Sequence, residues 1–287
     1  MRKTNKYLII LPILYLSCLL LIFPLAQSLL HYGVSELRSD FIGQIIVLIP
    51  LLIALIWLVK ELGFKRFNGI NGGIKIEKSK LLFLPLLLLI YAVFTNYNKI
   101  INSDITDLLL LTISVILVGF SEEFFFRGIL LPLVITKLKN KKHFLFLSIF
   151  ISSFIFGIFH FIKLINYPSY ISIITYQVIF TFCLGCLLSG LLLRTKSIII
   201  PSLFHAIVNF RALIEKPEQL GEKPIEYSEE FLSKMPEMPT IWNALIGELP
   251  FYLLLLFLGY LMIRKIDEKE ILKKLTVSST TANQEQR

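Results

Sequence analysis

The chain has 287 residues, of which 55% are hydrophobic and 17% are charged, and its mean hydropathy is +0.74. Soluble globular domains do not need this much apolar sequence, so the composition excludes them and predicts a polytopic membrane protein. The formal net charge of +9 does not indicate nucleic-acid binding, because the basic residues are dispersed over connections and no nucleic-acid-binding module is present. We therefore expect the basic residues to interact with the anionic headgroups of a lipid bilayer and not with nucleic acid.

Apolar stretches long enough to cross a membrane follow one another along the whole chain. They lie at residues 7–30, 42–62, 81–97, 106–136, 142–164, 170–193, 197–213 and 241–263. The fourth stretch is too long for one straight span, so we expect a kink, a break or a strong tilt near Gly119. The predicted fold is an all-α bundle of about eight transmembrane helices. These helices form a single integral-membrane domain over residues 1–275, followed by a polar tail at 276–287.

The basic residues alternate between successive connections. The N-terminal segment and the connections after the second, fourth, sixth and eighth stretches are rich in Lys and Arg, whereas the other connections are poor in them or acidic. The positive-inside rule then predicts that both termini are cytoplasmic, which requires an even number of spans. The composition, rich in Ile, Lys and Asn, favours a bacterial source, so the expected location is the plasma membrane of a bacterial cell.

Three ionisable side chains lie within six residues of the fourth stretch, namely Glu122, Glu123 and Arg127. At a helix centre in a membrane each such group costs roughly 2.5–3.5 kcal/mol on insertion scales, so their presence indicates a function. Glu123 and Arg127 are four residues apart and can form an ion pair on a helix. Glu122 points about 100° away and stays available as a general base. The alternative, a buried ion pair that ties two helices together, leaves Glu122 unexplained.

Two histidines and an amide occur in other apolar stretches. His160 follows Phe156 by one helical turn, and its imidazole can share a proton with a carboxylate, orient a water or bind a metal. His205 and Asn209 share one face of the seventh stretch. They can stabilise an oxyanion as water attacks a peptide carbonyl, or they can form hydrogen bonds across helices. A polar cavity is predicted among spans four, five and seven, although the expected helix starts place the two histidines at different depths.

Other intramembrane peptidase chemistries lack their motifs in this chain. No histidine begins the HExxH motif of zinc peptidases, and no serine lies in a GxSG loop. Paired transmembrane aspartates are also missing from the sequence. The polar residues that do occur within the apolar stretches, which are a carboxylate pair, an arginine, two histidines and an amide, suggest hydrolysis.

Three patterns occur in a fixed order on separate stretches: EExxxR (Glu122, Glu123, Arg127), FxxxH (Phe156, His160) and HxxxN (His205, Asn209). Together they resemble the motifs of the CAAX prenyl endopeptidase and bacteriocin-processing family, and the resemblance covers about residues 105–212. It implies an intramembrane endopeptidase in which Glu122 and His160 activate water. By the same resemblance His205 and Asn209 would hold the oxyanion. Glu123 and Arg127 would support the site.

The resemblance leaves the metal content open, because members of this family have also been described as metalloproteases. A zinc site made of Glu122, His160 and His205, with water as the fourth ligand, is one alternative. We favour a mechanism without a cofactor, because Asn209 is a poor zinc ligand and the set contains no thiolate.

The expected substrate is a membrane peptide or protein. A peptide pheromone, a bacteriocin precursor or a leader peptide is favoured over a prenylated protein. The alternative function is that of a non-catalytic bacteriocin-immunity or scaffold protein that keeps the motif residues for structure.

Overall fold

A computed structural model of the chain describes residues 2–70, 83–165, 168–214 and 241–275. Helices and turns account for these residues, and no strand forms among them, which confirms the predicted all-α class. The polar tail predicted at 276–287 lies outside the described residues.

The helices follow in chain order and are labelled by their residue bounds. They are α1 (Arg2–Leu20), α2 (Ile22–His31), α3 (Glu36–Glu61), α4 (Lys65–Asn68), α5 (Phe83–Thr95), α6 (Tyr97–Asn102), α7 (Ile105–Phe125), α8 (Leu131–Leu138), α9 (Phe144–Phe159), α10 (Ile171–Thr195), α11 (Ile199–Ile214) and α12 (Ile241–Ile263). A π-helical turn, Phe126–Leu130, joins α7 to α8. A 3₁₀ segment, His160–Ile165, extends α9.

The described part of the chain contains six helical segments that are long and apolar enough to cross a membrane. They are Lys6–His31, Glu36–Glu61, Ile105–Leu138, Phe144–Ile165, Ile171–Thr195 and Ile246–Ile263. The remaining two apolar stretches form the shorter helices α5 and α11, of 13 and 16 residues. The protein is thus a helical membrane bundle as predicted, and the count of eight spans stays a prediction.

The bundle exposes large apolar side chains on its outside. Phe94 is 82% exposed and Trp57 is 60% exposed. Exposure on this scale is expected where a surface faces lipid chains, because lipid is as apolar as the side chains themselves. Inside, the main core surrounds the π-turn and α8, where Phe125, Ile129 and Leu131 are at most 1% exposed.

The irregularity of the long fourth span is at the π-turn, so the prediction of a break near Gly119 is wrong, while a strong tilt of this span stays a prediction. Helix α7 continues through Gly119 to Phe125. The widened turn that follows leaves carbonyl groups outside the regular helical pattern, and two distant side chains bond to them. Ser152 Oγ donates to the carbonyl oxygen of Phe126 at 3.1 Å, and Asn68 Nδ2 donates to that of Gly128 at 2.9 Å. The break therefore lies where tertiary donors satisfy the backbone.

Gly119 instead allows α7 and α11 to approach each other closely. A Cβ atom at Gly119 would lie 2.8 Å from the backbone nitrogen of Ala206 and 3.0 Å from the carbonyl oxygen of Ser202. Small residues at helix crossings are the usual means of close packing in membranes. One turn beyond Gly119 comes Glu123, and directly before Ala206 comes His205, so this crossing sets the distance between the acidic and the imidazole groups.

Candidate active site

Glu123 lies at the centre of a buried polar cluster on α7. Its Oε1 atom accepts a hydrogen bond from Arg127 Nη1 at 3.0 Å and another from His205 Nδ1 at 3.0 Å. The side chains of Glu123 and Arg127 are both 0% exposed, and that of His205 is 3% exposed. The ion pair between Glu123 and Arg127 is the one that their spacing predicts. The contact with His205, 82 positions along the chain, has no local signal in the sequence.

Arg127 is held on the π-turn as a fixed positive charge. Its guanidinium carbon lies 4.3 Å from the centre of the Phe156 ring, at the distance of a cation–π contact. On another side a Cβ atom at Gly185 would come within 2.9 Å of Arg127 Nη2, so only glycine leaves room there. Arg127 Nε and Nη2 make no hydrogen bond to any group in the described residues. The arginine therefore contributes its charge mainly through Glu123 and Phe156.

His205 bridges the two glutamates. Because the carboxylate of Glu123 is an acceptor in its ion pair, the contact with His205 Nδ1 places a proton on that nitrogen. His205 Nε2 then faces Glu122 Oε2 at 3.5 Å. A neutral imidazole and an ionised carboxylate would bring two acceptors together there, so this contact calls for one proton on either Nε2 or Glu122. The side chain of Glu122 is 18% exposed, so it is the accessible one of the two acids.

His160 lies beside Phe156 at the end of α9. Its Nδ1 atom is 3.1 Å from the carbonyl oxygen of Phe156. The Phe156 ring contacts both imidazoles edge to face, with centroid distances of 5.3 Å to His160 and 5.7 Å to His205. The two histidines therefore contact the same side chain. Their rings lie near each other, although the helix starts expected from the sequence place them at different depths in the membrane. No carboxylate of the described residues lies at ion-pair distance from His160, so the imidazole next to Glu122 is that of His205.

Two further polar side chains lie near the histidines. Asn209 is half-buried one turn after His205 and makes no hydrogen bond within the described residues. Lys163 follows His160 by one turn of the 3₁₀ segment, and its charge interacts with both Glu122 and His160. Its Nζ atom donates to Gln177 Oε1 at 3.0 Å. This end of the site is therefore electropositive.

The predicted zinc ligands do not form a ready metal site. In the part of the chain that the structure describes, no three His, Cys, Asp or Glu side chains are arranged to hold a metal ion. The Nδ1 atom of each candidate imidazole contacts an oxygen, the Phe156 carbonyl for His160 and the Glu123 carboxylate for His205, and zinc-bound histidines commonly make contacts of this kind. Glu122, His160 and His205 are therefore not grouped as three metal ligands among the described residues.

One residue beside this cluster escapes sequence reasoning. Tyr15 of α1 is 2% exposed, and its ring stacks on that of Phe125 at a centroid distance of 4.1 Å. A single tyrosine in an apolar span carries no motif, and the sequence contains no signal that would have assigned it to the site.

The comparisons with known proteins give one match. A family model described as type II CAAX prenyl endopeptidase Rce1-like matches residues 104–211. This range contains all the candidate residues named from the sequence, whereas Tyr15 lies outside it. No curated protein and no solved structure matches the chain.

Proposed function

We propose that this chain, whose residues 104–211 match the type II CAAX prenyl endopeptidase Rce1-like family model, hydrolyses a peptide bond of a membrane-associated peptide or protein within the bilayer. The family is one of proteases, and the apolar helices make the chain an integral membrane protein. The observation that carries the proposal is the single imidazole of His205 between two carboxylates, at 3.0 Å from Glu123 and 3.5 Å from Glu122.

The two glutamates receive different roles from their surroundings. Glu123 is sealed from solvent and bound to Arg127, so it stays ionised and keeps His205 Nδ1 protonated. Glu122 makes no ion pair with Arg127 and is partly exposed, so it can meet water and substrate. A structural ion pair would need only the first of these acids, and the second is free to act as general base.

The shared proton defines the reactive state of the site. With this proton on Nε2, His205 is an imidazolium between two carboxylates, and Glu122 is an ionised base. Glu122 takes a proton from water as the water oxygen bonds to the carbonyl carbon, and the carbonyl oxygen becomes an oxyanion. His205 Nε2 and the Asn209 amide donate to this oxyanion. The tetrahedral intermediate then collapses, the C–N bond breaks, and Glu122 passes its proton to the leaving amine.

His160 is proposed as the second acceptor for the attacking water. If Nδ1 donates to the Phe156 carbonyl, then Nε2 carries the lone pair that such a contact needs. Buried helices around the site exclude bulk water, which strengthens each of these charge interactions. The mechanism uses no metal and no cofactor.

The proposal is tested by cleavage of a library of short amphipathic peptides by purified protein in liposomes. Glu122→Gln keeps the shape of the side chain and removes the base, so its rate should fall by at least about a hundredfold. Glu248→Gln is the matched control, because Glu248 lies in the apolar helix α12 with an exposed side chain. This control should cleave like the wild type, and a chelator should change neither rate.

Each contrary result has a definite meaning. Equal cleavage by the wild type and Glu122→Gln would refute the assignment of the base. Loss of wild-type cleavage on addition of a chelator would refute the metal-free mechanism. If no peptide of the library is cleaved and Glu122→Gln also preserves the wild-type phenotype in cells, the protein acts as a non-catalytic scaffold or immunity protein.

A further inference from the structure

Tyr15 is the only buried side chain among residues 6–20 of α1, whose other side chains face outward or are partly covered. It is 2% exposed and lies within the main core around the π-turn. Its helix is outside the range matched by the family model. The packing of α1 therefore brings one polar group to the site from a region that no motif marks.

Three phenylalanines fix the position of the Tyr15 ring. The ring stacks on Phe125 with an interplanar angle of 2° and meets Phe126 edge to face at 5.9 Å. Phe159 lies at a centroid distance of 6.3 Å. Phe125 and Phe126 follow the glutamates on their own helix, and Phe159 directly precedes His160. The ring thus lies between the elements that carry Glu122 and His160.

The hydroxyl group of Tyr15 lies beside Ser121 and interacts electrostatically with Glu122. It nevertheless makes no hydrogen bond to any group of the described residues. The Ser121 hydroxyl donates its proton to the carbonyl oxygen of Val118 at 3.1 Å, so it has no proton to donate to Tyr15. Glu122 Oε2 is likewise buried and without a hydrogen bond among the described residues. Tyr15 Oη and Glu122 Oε2 are therefore both buried without a hydrogen bond among the described residues, and Glu122 Oε2 also faces His205 Nε2 at 3.5 Å.

Leaving such groups unpaired is costly. A buried polar group without a partner loses about 1–3 kcal/mol of stability, and phenylalanine at position 15 would avoid this loss. Polar groups that interact without a direct hydrogen bond are commonly bridged by water, and a buried water needs two to four polar partners. Tyr15 Oη, Glu122 Oε2 and His205 Nε2 together provide that number.

We propose that Tyr15 is a positioning residue for the peptidase reaction, and that its hydroxyl donates a hydrogen bond to the water molecule that Glu122 activates. This inference rests on the proposed function of the site. The water donates one hydrogen to Glu122 and accepts one from Tyr15, and its second lone pair points to the carbonyl carbon. As the new C–O bond forms, the proton of water moves to Glu122, and Tyr15 keeps its own proton throughout.

The test compares Tyr15→Phe with Tyr252→Phe in the liposome cleavage assay. Tyr252 is the matched control, because its hydroxyl is also buried and without a hydrogen bond in the described residues, and its ring is 4% exposed. It packs against Tyr176 in a separate apolar cluster. Tyr15→Phe should lower kcat about tenfold or more with KM unchanged, because the substrate still binds but the water is misplaced. Tyr252→Phe should leave both constants unchanged.

Thermal unfolding in detergent separates this role from a structural one. Neither variant loses a protein hydrogen bond, so neither midpoint should fall below that of the wild type. A drop in kcat accompanied by a matching drop in midpoint would overturn the positioning role. Glu122→Gln in the same assay separates the two proposals: if it is inactive while Tyr15→Phe cleaves at the wild-type rate, the role of Tyr15 alone is wrong. If Glu122→Gln cleaves normally, the proposed function fails first.

Discussion

The crossing of α7 and α11 at Gly119 allows a sharp test of how the site is held together. In Gly119→Ala the new Cβ atom would lie 2.8 Å from the backbone nitrogen of Ala206. Ordinary van der Waals contacts of such an atom begin at 3.4 Å, so the two backbones must separate by about 0.6 Å. Overpacking of this kind costs about 1–3 kcal/mol. The higher helix propensity of alanine offsets up to about 1 kcal/mol of this loss of stability.

The separation acts directly on the reacting groups. Because Ala206 follows His205, the move lengthens the contact between His205 Nε2 and Glu122 Oε2 from 3.5 Å to about 4 Å. A displacement of about 1 Å at a catalytic contact costs about a hundredfold in rate, so about tenfold is expected here. The free energy of unfolding should fall by up to about 2 kcal/mol.

Gly247→Ala is the matched control, because a Cβ atom at Gly247 of α12 meets nothing within 4 Å. Both substitutions make the same change of helix propensity, so their difference measures the crossing alone. Equilibrium unfolding in mixed micelles gives the stability, and cleavage of a peptide substrate gives kcat. If Gly119→Ala matches Gly247→Ala in both measurements, the close approach of α7 and α11 does not set the geometry of the site.

Two further predictions concern the support of the cluster, and the same unfolding measurement checks both. Arg127→Met should lower the free energy of unfolding by about 3–5 kcal/mol, because it leaves the buried carboxylate of Glu123 without its counter-ion. Adding Glu123→Gln should restore much of this stability. Arg38→Met removes two ion pairs of a half-exposed arginine, with Asp104 and with Asp107. It should lower the free energy of unfolding by less than Arg127→Met does, and equal losses would contradict the argument. Asn68→Ala should lower the free energy of unfolding by about 1–3 kcal/mol, because the carbonyl of Gly128 loses its hydrogen-bond donor. Wild-type stability of this variant would show that the bond does not support the π-turn.

Much of the fold follows from apolar length and composition. Each predicted stretch is helical within the described residues, because a backbone in lipid must satisfy its own hydrogen bonds. The position of the irregular turn could not be derived in this way. A glycine in the chain is a local signal for a break, whereas the donors that support the π-turn, Asn68 and Ser152, lie far from it in sequence. Local patterns do not reveal such partners.

The same distinction between local patterns and distant partners applies to the candidate site. The spacing of Glu123 and Arg127 predicts their ion pair because both residues lie on one helix, and the structure contains it. The contact of His205 with both glutamates depends on how two helices cross, which spacing does not determine. Tyr15 is the extreme case, since it reaches the site only through aromatic packing. The motif residues therefore predict the chemistry, and the tertiary contacts assign the partners.

The ion pair between α7 and the π-turn that follows it also has a consequence for biosynthesis. Glu123 and Arg127 are one turn apart on the same helix, so their charges can neutralise each other as soon as this segment leaves the ribosome and enters the bilayer. His205 is synthesised much later, 82 positions after Glu123. The nascent protein can thus be inserted with its charges balanced and still lack the imidazole of the site. A chain whose synthesis stops before α11 should be a membrane protein without the proposed proteolytic activity.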